Sequence, residues 1–216
     1  LLALMSVSPM LSWRSTSFTT LAGKLLGPAA CGVGTMALSI SLGAHGVWPV
    51  LGLGLGGSTL GSAAHQILIG TRRHGWKGII GRTGGGMIAH IGIALIAFGF
   101  IASTAFSEEG EFVLQPGDSA SVAGHEVTFV SVRDYFDGPN RVVSAQVKVE
   151  GRGTFAPAIT RYPTFGRPIS TPSVATSWVD DVYLSLAAIP DEGMDRITLR
   201  VLIKPLVVWM WMGGAL

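Results

Sequence analysis

The chain has 216 residues, of which 48% are hydrophobic and only 13% charged, and its mean hydropathy of +0.49 is high for a soluble globular protein. All thirteen acidic residues lie from Glu108 onward, whereas six of the fifteen basic residues precede that position, so the net charge of +2 averages two different halves. No cluster of basic residues with polar or aromatic neighbours is present, which argues against a nucleic-acid-binding protein, and the single cysteine, Cys31, excludes an intrachain disulfide.

The first half of the sequence predicts a set of membrane-spanning helices. Residues 1–12 are apolar and resemble the end of one span, and residues 13–24 form a polar link. Three further stretches share the absence of Asp, Glu, Lys and Arg: 25–43, 48–70 and 85–104. Each is close to the length of about 20 residues that a helix needs to cross a bilayer. Because the sequence begins and stops inside apolar stretches, we interpret it as a fragment of a longer membrane protein.

The basic residues predict the direction in which these helices cross the membrane. The connections 13–24 and 71–83 carry Lys or Arg, whereas the connection 44–47 carries neither. Short basic connections are typically cytoplasmic. The span 85–104 then leads to the opposite side, so we expect the helices in a bacterial inner membrane and the following segment in the periplasm.

The next segment, residues 105–201, has the sequence pattern of β-strands. Apolar and polar residues alternate in HEVTFVSVRDY, RVVSAQVKVE and RITLRVLI, and turn sequences such as FDGPN separate these runs. Five or six short strands of this kind are typical of a small barrel or sandwich. Residues 202–216 are expected to form the start of a C-terminal membrane helix that opens at Lys204. The predicted fold class is a polytopic α-helical membrane protein with an inserted, periplasmic, all-β domain.

One ionisable side chain, His90, lies inside the predicted span GGGMIAHIGIALIAFGF. Ionisable residues are costly inside a bilayer and usually have a function there. On a helix, His90 shares its face with the small residues Gly86, Ala94 and Ala97, which leave room for a second helix or for a flat macrocycle. A neutral imidazole is a common axial ligand of haem iron. The residues alone leave three roles open for His90: a hydrogen bond between packed helices, a haem ligand, and a proton relay or substrate contact.

The other histidines carry weaker signals. His65 lies near the end of its predicted span and His45 in a short connection, and both are expected at the membrane interface. His74 belongs to a basic connection and is expected to influence topology only, whereas His125 begins a strand and is expected to be solvated. No two histidines have the i, i+4 spacing of a zinc-binding helix.

The acidic residues do not indicate catalysis. Asp180 and Asp181 are adjacent, so in a strand they would face opposite sides, which is a poor arrangement for paired acid–base work. We interpret them as a turn before the strand DVYLSL. No catalytic residue is assigned.

The order of several short segments is characteristic. A span with GMIAHIGIAL precedes FDGPN, then TRYPTFGRPISTPSV, then DDVYLSL and finally KPLVVWMWMGG. In this order and spacing the chain resembles the C-terminal part of the CcmF (CycK/NrfE) family of cytochrome c-type biogenesis proteins. The resemblance covers nearly the whole chain and is strongest from Gly86 to Gly214.

This resemblance implies a function, a cofactor and partners. It implies part of a membrane haem lyase, which attaches haem to the C-x-x-C-H cysteines of secreted apocytochromes c and holds a b-type haem between membrane histidines. His90 stands at the position of one of those ligands, so the resemblance favours His90 as a haem and metal ligand, with the second axial ligand outside this chain. The implied partners are apocytochrome c, a haem chaperone, other membrane subunits of cytochrome c maturation, and membrane lipid.

Two other functions stay open. The chain could belong to a non-catalytic membrane assembly protein, in which the β domain docks partners and His90 only packs helices. It could also belong to a haem transporter, although coupled transporters usually carry acidic or paired charged residues within their spans and residues 1–104 contain no acidic residue.

Overall fold

The chain divides into a helical unit and a β unit, which are described separately. The computed structural model describes residues 1–11, 17–165, 167–188 and 196–216. Leu1–Phe106 and Leu206–Leu216 form the helical unit, and Ser107–Pro205 form the β unit.

Most of the helical unit is made of three long helices. In chain order the helices are Leu2–Val7 (α1), Phe18–Ser41 (α2), Val47–His74 (α3), Lys77–Ile80 (α4), Arg82–Ala105 (α5) and Val207–Ala215 (α6). By length and composition, Phe18–Ser41 and Gly84–Ala105 are apolar enough to cross a membrane. Helix α3 is longer, but its glycines and polar side chains make it less apolar.

Glycines allow the helices of this unit to approach closely. An ideal Cβ placed on Gly32 of α2 would lie 2.9 Å from the backbone oxygen of Gly54 in α3. One placed on Gly92 of α5 would lie 2.6 Å from the backbone oxygen of Gly213 in α6. Both separations are too short for a real Cβ, so glycine is what permits these backbone contacts.

The helix boundaries differ from the sequence-based expectation in the polar connections. Helix α2 begins at Phe18, inside the predicted link 13–24, because the side chain of Ser17 caps it by accepting a hydrogen bond from the backbone N–H of Thr20 at 3.3 Å. Residues 12–16 of that link lie outside the described residues. Helix α3 continues to His74, so its basic residues form the last turn of the helix, where cations are favoured, and not a loop.

The β unit is a sandwich of two antiparallel sheets. Its strands are Glu108–Leu114 (β1), Ser119–Val122 (β2), His125–Asp137 (β3), Asn140–Val149 (β4), Gly153–Phe155 (β5), Ala158–Arg161 (β6), Ile169–Thr171 (β7), Ser173–Thr176 (β8), Asp180–Leu186 (β9) and Ile197–Pro205 (β10). The first sheet has the order β1-β10-β9-β8. The second has the order β2-β3-β4-β6-β7, with β5 also paired to β4.

The core of the sandwich lies between these two sheets. Its fully buried side chains include Phe129 and Val147 from the second sheet and Leu184 and Leu199 from the first. These residues occupy alternate positions of their strands, as expected when one face of each sheet is covered. The sequence prediction of a small barrel or sandwich is therefore resolved in favour of a sandwich.

The long hairpin β3–β4 contains one irregularity that the sequence displays. Phe129 and Val130 are adjacent apolar residues in an otherwise alternating strand, and the pairing with β4 shifts between Phe129 and Ser131. Val130 is half exposed as a consequence, which is the usual effect of a β-bulge. Gly138, the first residue of the two-residue turn, has a φ of 57°, which side chains rarely adopt.

Two expectations for this unit are corrected. The described residues contain more strands than the five or six expected, because several are only three or four residues long and lack a clear alternation. Lys204 does not open the last helix, because the alternation of Ile197 to Ile203 continues and Lys204 pairs with Asp181 in β9. The chain turns at Leu206, whose φ is 58°, and α6 starts at Val207.

Candidate functional site

The imidazole of His90 is held by its own helix. Its Nδ1 lies 2.8 Å from the backbone oxygen of Gly86, one turn earlier in α5. A carbonyl oxygen only accepts hydrogen bonds, so Nδ1 carries the hydrogen and donates it. In a neutral ring this leaves Nε2 with a free lone pair, which is the arrangement of metal-binding histidines whose second nitrogen is hydrogen-bonded.

The helix surface beside His90 is open. An ideal Cβ on Gly86, one turn before His90 on the same face, would meet no atom within 4 Å, and His90 itself is half-buried. Space for a bulky group is therefore present on the face that carries the imidazole, within the helical unit.

Contacts further along α5 anchor the helix. Gly99 approaches α6, where an ideal Cβ would lie 2.7 Å from the backbone oxygen of Leu206. Ile101 contacts Gly52 of α3, with 2.8 Å between its Cδ1 and an ideal Cβ there. At 3.6 residues per turn, Gly99 points about 180° away from His90. On the His90 face itself, Ala94 is fully buried and Ile101, which points within about 20° of His90, contacts α3, so the free surface of that face lies at its Gly86 end.

The remaining histidines do not join His90 in a cluster. His45 is exposed, with Nδ1 3.2 Å from the backbone oxygen of Gly43 and its ring 5.6 Å from that of Phe106. His65 has a buried Nδ1 without a hydrogen-bond partner among the described residues. Within those same residues, no group of three or more His, Cys, Asp or Glu is placed to hold a metal ion.

The donor set fits one axial position of a haem. It consists of one neutral nitrogen, oriented by a hydrogen bond, with small residues beside it. That combination suits haem iron. It does not suit a structural zinc site, which needs four ligands.

A polar cluster in the β unit was not foreseen from the sequence. Asp180 accepts hydrogen bonds from the Arg152 guanidinium and from His125, whose Nε2 lies 2.8 Å from Asp180 Oδ2. Ser177 Oγ donates to the backbone oxygen of Asp180 at 2.8 Å. Asp180 is the first residue of β9 in the first sheet and His125 the first residue of β3 in the second, so the cluster joins the two sheets where these strands begin.

These contacts correct two sequence predictions. His125 is not simply solvated, because it is paired with Asp180 and its side chain is 20% exposed. Asp180 and Asp181 do not form a turn, since both belong to β9. Burial would raise the pKa of Asp180, but the hydrogen bonds and charges of Arg152 and His125 outweigh it and hold that pKa below its ordinary value of 3.8.

Asp181 faces the opposite side of β9 and has a different environment. It is 4% exposed, and its Oδ1 has no hydrogen-bond partner among the described residues. Burial raises the pKa of Asp181 above 3.8, although hydrogen bonds from Thr176 and the backbone of Ser177 oppose this. The two acids thus lie on opposite faces of β9, as expected for adjacent residues of a strand.

Comparison with known proteins identifies the relatives of the chain. Residues 105–205 match the family described as the CcmF C-terminal beta-sandwich. Over its full length the chain is 31% identical to the cytochrome c-type biogenesis protein CcmF of Pseudomonas fluorescens. The chain resembles the C-terminal part of CcmF. The resemblance expected from the order of the sequence segments is thereby confirmed.

A second relative and a solved structure are also similar to this chain. The cytochrome c-type biogenesis protein ccl1 of Rhodobacter capsulatus is 30% identical over 97% of this chain. A solved structure described as cytochrome c heme lyase CcmF superimposes with a TM-score of 0.80 and 22% identity, covering 99% of this chain and 36% of its own. At that identity the likeness concerns the fold alone. The chain spans 34% of the length of the Pseudomonas fluorescens CcmF and 33% of that of ccl1.

Proposed function

We propose that this chain is the C-terminal part of a membrane haem lyase subunit for cytochrome c maturation, in which His90 is one axial ligand of a haem b. The observation that carries the proposal is the hydrogen bond from His90 Nδ1 to the Gly86 oxygen, because it leaves Nε2 free beside an open helix surface. The names of the CcmF relatives, which concern cytochrome c biogenesis and haem lyase, support it.

The role of His90 in this proposal is to bind and to orient. The Gly86 carbonyl fixes the tautomer and the ring plane, and it makes Nε2 a better donor to iron. A haem bound there supplies one-electron redox chemistry, which suits the reduction of an incoming haem iron. The second axial ligand is expected on a segment of the full-length protein outside this chain.

The helical unit is proposed to span a bacterial inner membrane, with the β unit on its periplasmic side. The apolar helices α2 and α5 support a membrane position for the helical unit, and the basic connections favour the cytoplasm. The β unit is then periplasmic. Its surface exposes large aromatic side chains, among them Phe136 (73% exposed) and Phe165 (60% exposed). Aromatic residues of this kind often anchor protein interfaces, and we expect them to dock apocytochrome c, the haem chaperone or another maturation subunit.

The haem is tested directly on the full-length protein, purified in mild detergent. A difference spectrum of the dithionite-reduced minus the oxidised protein is expected to show the α-band of a b-type haem. Absence of this band from protein that is correctly inserted and that still binds its partners would contradict the haem proposal. It would favour the non-catalytic assembly protein instead.

The docking role is tested by removing the β unit. In the full-length protein, Ser107–Pro205 is replaced by a short flexible linker, which is feasible because β1 and β10 are paired neighbours. We expect the b-type band to persist, while the yield of mature cytochrome c and the co-purification of partners are lost. The aromatic double variant Phe136→Ser/Phe165→Ser serves as a milder version. Unchanged yield in the deletion would exclude a docking role.

A further inference from the structure

A cavity with basic walls lies at one end of the helical unit. It has a volume of about 340 Å³ and is formed by the end of α3, by α4 and by the start of α5. Arg73, His74 and Lys77 all line it, together with the amide of Gln66. A cavity with several cationic donors and room for a small group has the chemistry of an anion site.

The helical unit provides no negative charge to neutralise this cavity. Leu1–Phe106 and Leu206–Leu216 contain neither Asp nor Glu. The positive charges of Arg73 and Lys77 therefore have no counter-ion within their own unit. A ligand that carries a phosphate would supply this counter-ion.

Part of the cavity wall is closely packed backbone. An ideal Cβ on Gly70 would lie 3.3 Å from the backbone oxygen of Gly78, and one on Gly81 would lie 2.7 Å from that of Lys77. Both pairs line the cavity. A side chain at either glycine would force these backbone segments apart. This part of the cavity therefore depends on close backbone packing and not on the rotamers of flexible side chains.

We propose that this cavity binds the phosphate of an anionic phospholipid. The inference rests on the membrane position of the helical unit in the proposed function, because the apolar helix α5 starts at the cavity and would pack against acyl chains. Arg73 binds the phosphate with its planar guanidinium, and Lys77 adds a point charge. Basic pockets between membrane helices on the cytoplasmic side are known to hold anionic head groups.

A simpler explanation of these residues is that they only fix topology. Topology depends on the number of basic residues in a connection, not on which one lines a cavity. Arg72 offers the matched control: it is adjacent to Arg73, equally charged and equally exposed, but it is not part of the cavity lining. The two explanations therefore differ in what they predict for Arg72→Gln and Arg73→Gln.

The experiment uses the full-length protein in neutral detergent, with phosphatidylglycerol and phosphatidylcholine as probes and native mass spectrometry as the readout. We expect phosphatidylglycerol to bind preferentially, the Arg73→Gln/Lys77→Gln variant to bind it at least about tenfold more weakly, and Arg72→Gln to bind it nearly as the wild type. Arg73→Lys, which keeps the charge, is expected to lie between them and guards against loss of folding as the cause.

Three results would overturn the proposal. Equal losses of phosphatidylglycerol binding in Arg72→Gln and Arg73→Gln would show that surface charge alone explains the binding. Equal binding of phosphatidylglycerol and phosphatidylcholine would exclude recognition of an anionic head group. Displacement of the lipid by inorganic phosphate at millimolar concentration would assign the site to free phosphate. The haem spectrum of the full-length protein is measured independently of lipid binding. Absence of the b-type band would contradict the proposed function. Absence of a preference for phosphatidylglycerol, with the band present, would contradict only this inference.

Discussion

Replacing His90 by glycine in the full-length protein is expected to abolish the b-type absorption band or to lower haem occupancy at least about tenfold. Even residues that only orient a metal ligand typically contribute tenfold to a hundredfold to metal affinity. Added imidazole should restore the band in His90→Gly, because it can take the place of the lost ring beside the open helix surface. A residue that merely packs helices would not show this rescue. His45→Gly, in an exposed loop, is the control and should keep its haem.

The glycines before His90 offer a sharper test of where the haem lies. Gly86 and Gly85 are both exposed, and both have space for a Cβ. On a helix Gly86 points within about 40° of His90, whereas Gly85 points about 140° away. Gly86→Leu should therefore lower haem occupancy, while Gly85→Leu should not, and neither should unfold the helix. Equal haem content in the two leucine variants would contradict a haem on this face, as would full occupancy in His90→Gly without imidazole.

The second large effect is expected in the sandwich, where two adjacent acids should respond in opposite ways. Asp180→Asn removes the charge that Arg152 and His125 share, and it leaves a guanidinium whose side chain is 18% exposed without its carboxylate. Breaking a fully buried ion pair lowers the free energy of unfolding by about 3–5 kcal/mol. Because this pair is partly exposed, we expect Asp180→Asn to lower the free energy of unfolding by about 2 kcal/mol. Asp181→Asn removes a carboxylate that burial disfavours, so the free energy of unfolding should stay the same or rise by up to about 1 kcal/mol.

The pH dependence of stability gives a second readout of the same pair. The pKa of Asp180 is lowered in the folded state, so its contribution is present above the unfolded-state pKa near 3.8 and is lost as the pH falls further. The pKa of Asp181 is raised, so the folded state loses stability as the pH rises from 3.8 through the folded-state pKa. Acid destabilisation should thus weaken in Asp180→Asn and become steeper in Asp181→Asn.

These stabilities are measurable on the excised β unit, Ser107–Pro205. Its cut ends flank the paired strands β1 and β10, and its core is internal, so we expect it to fold alone. Urea unfolding followed by circular dichroism is measured at pH values on both sides of the ordinary carboxyl pKa of 3.8. A loss of stability at pH 7 in Asp181→Asn as large as that in Asp180→Asn would contradict the assigned environments.

The sequence predicted features that depend on local periodicity. The apolar run of α5 predicted a helix close to its observed bounds, because length and hydropathy are properties of the segment alone. The alternation around Val127 and Leu184 predicted strands with one buried face for the same reason. The bulge after Phe129 was not predicted, because the run around it was interpreted as alternating throughout.

Features that depend on distant partners were missed. His125 and Asp180 are 55 residues apart, and Arg152 is 28 residues from Asp180, so no local pattern indicates that the three meet. Lys204 was assigned to a helix because the residues around it are apolar, but pairing with β9 decides its conformation. The open space beside His90 likewise follows from how α5 packs against α3 and α6, which a single sequence does not contain.

The position of β1 at the sheet edge has a consequence for biosynthesis. Among the described strands its neighbour in the first sheet is β10 alone, and Glu108 pairs with Ile203. At about 5–20 residues per second, β1 leaves the ribosome roughly 5–20 s before its partner. During that time it is an unpaired edge open to wrong partners. The hairpins β2–β3 and β3–β4 pair strands that are adjacent in sequence, so they can form as soon as they are synthesised. The second sheet of the sandwich is therefore expected to form first, and β10, which leads into α6, is expected to pair last.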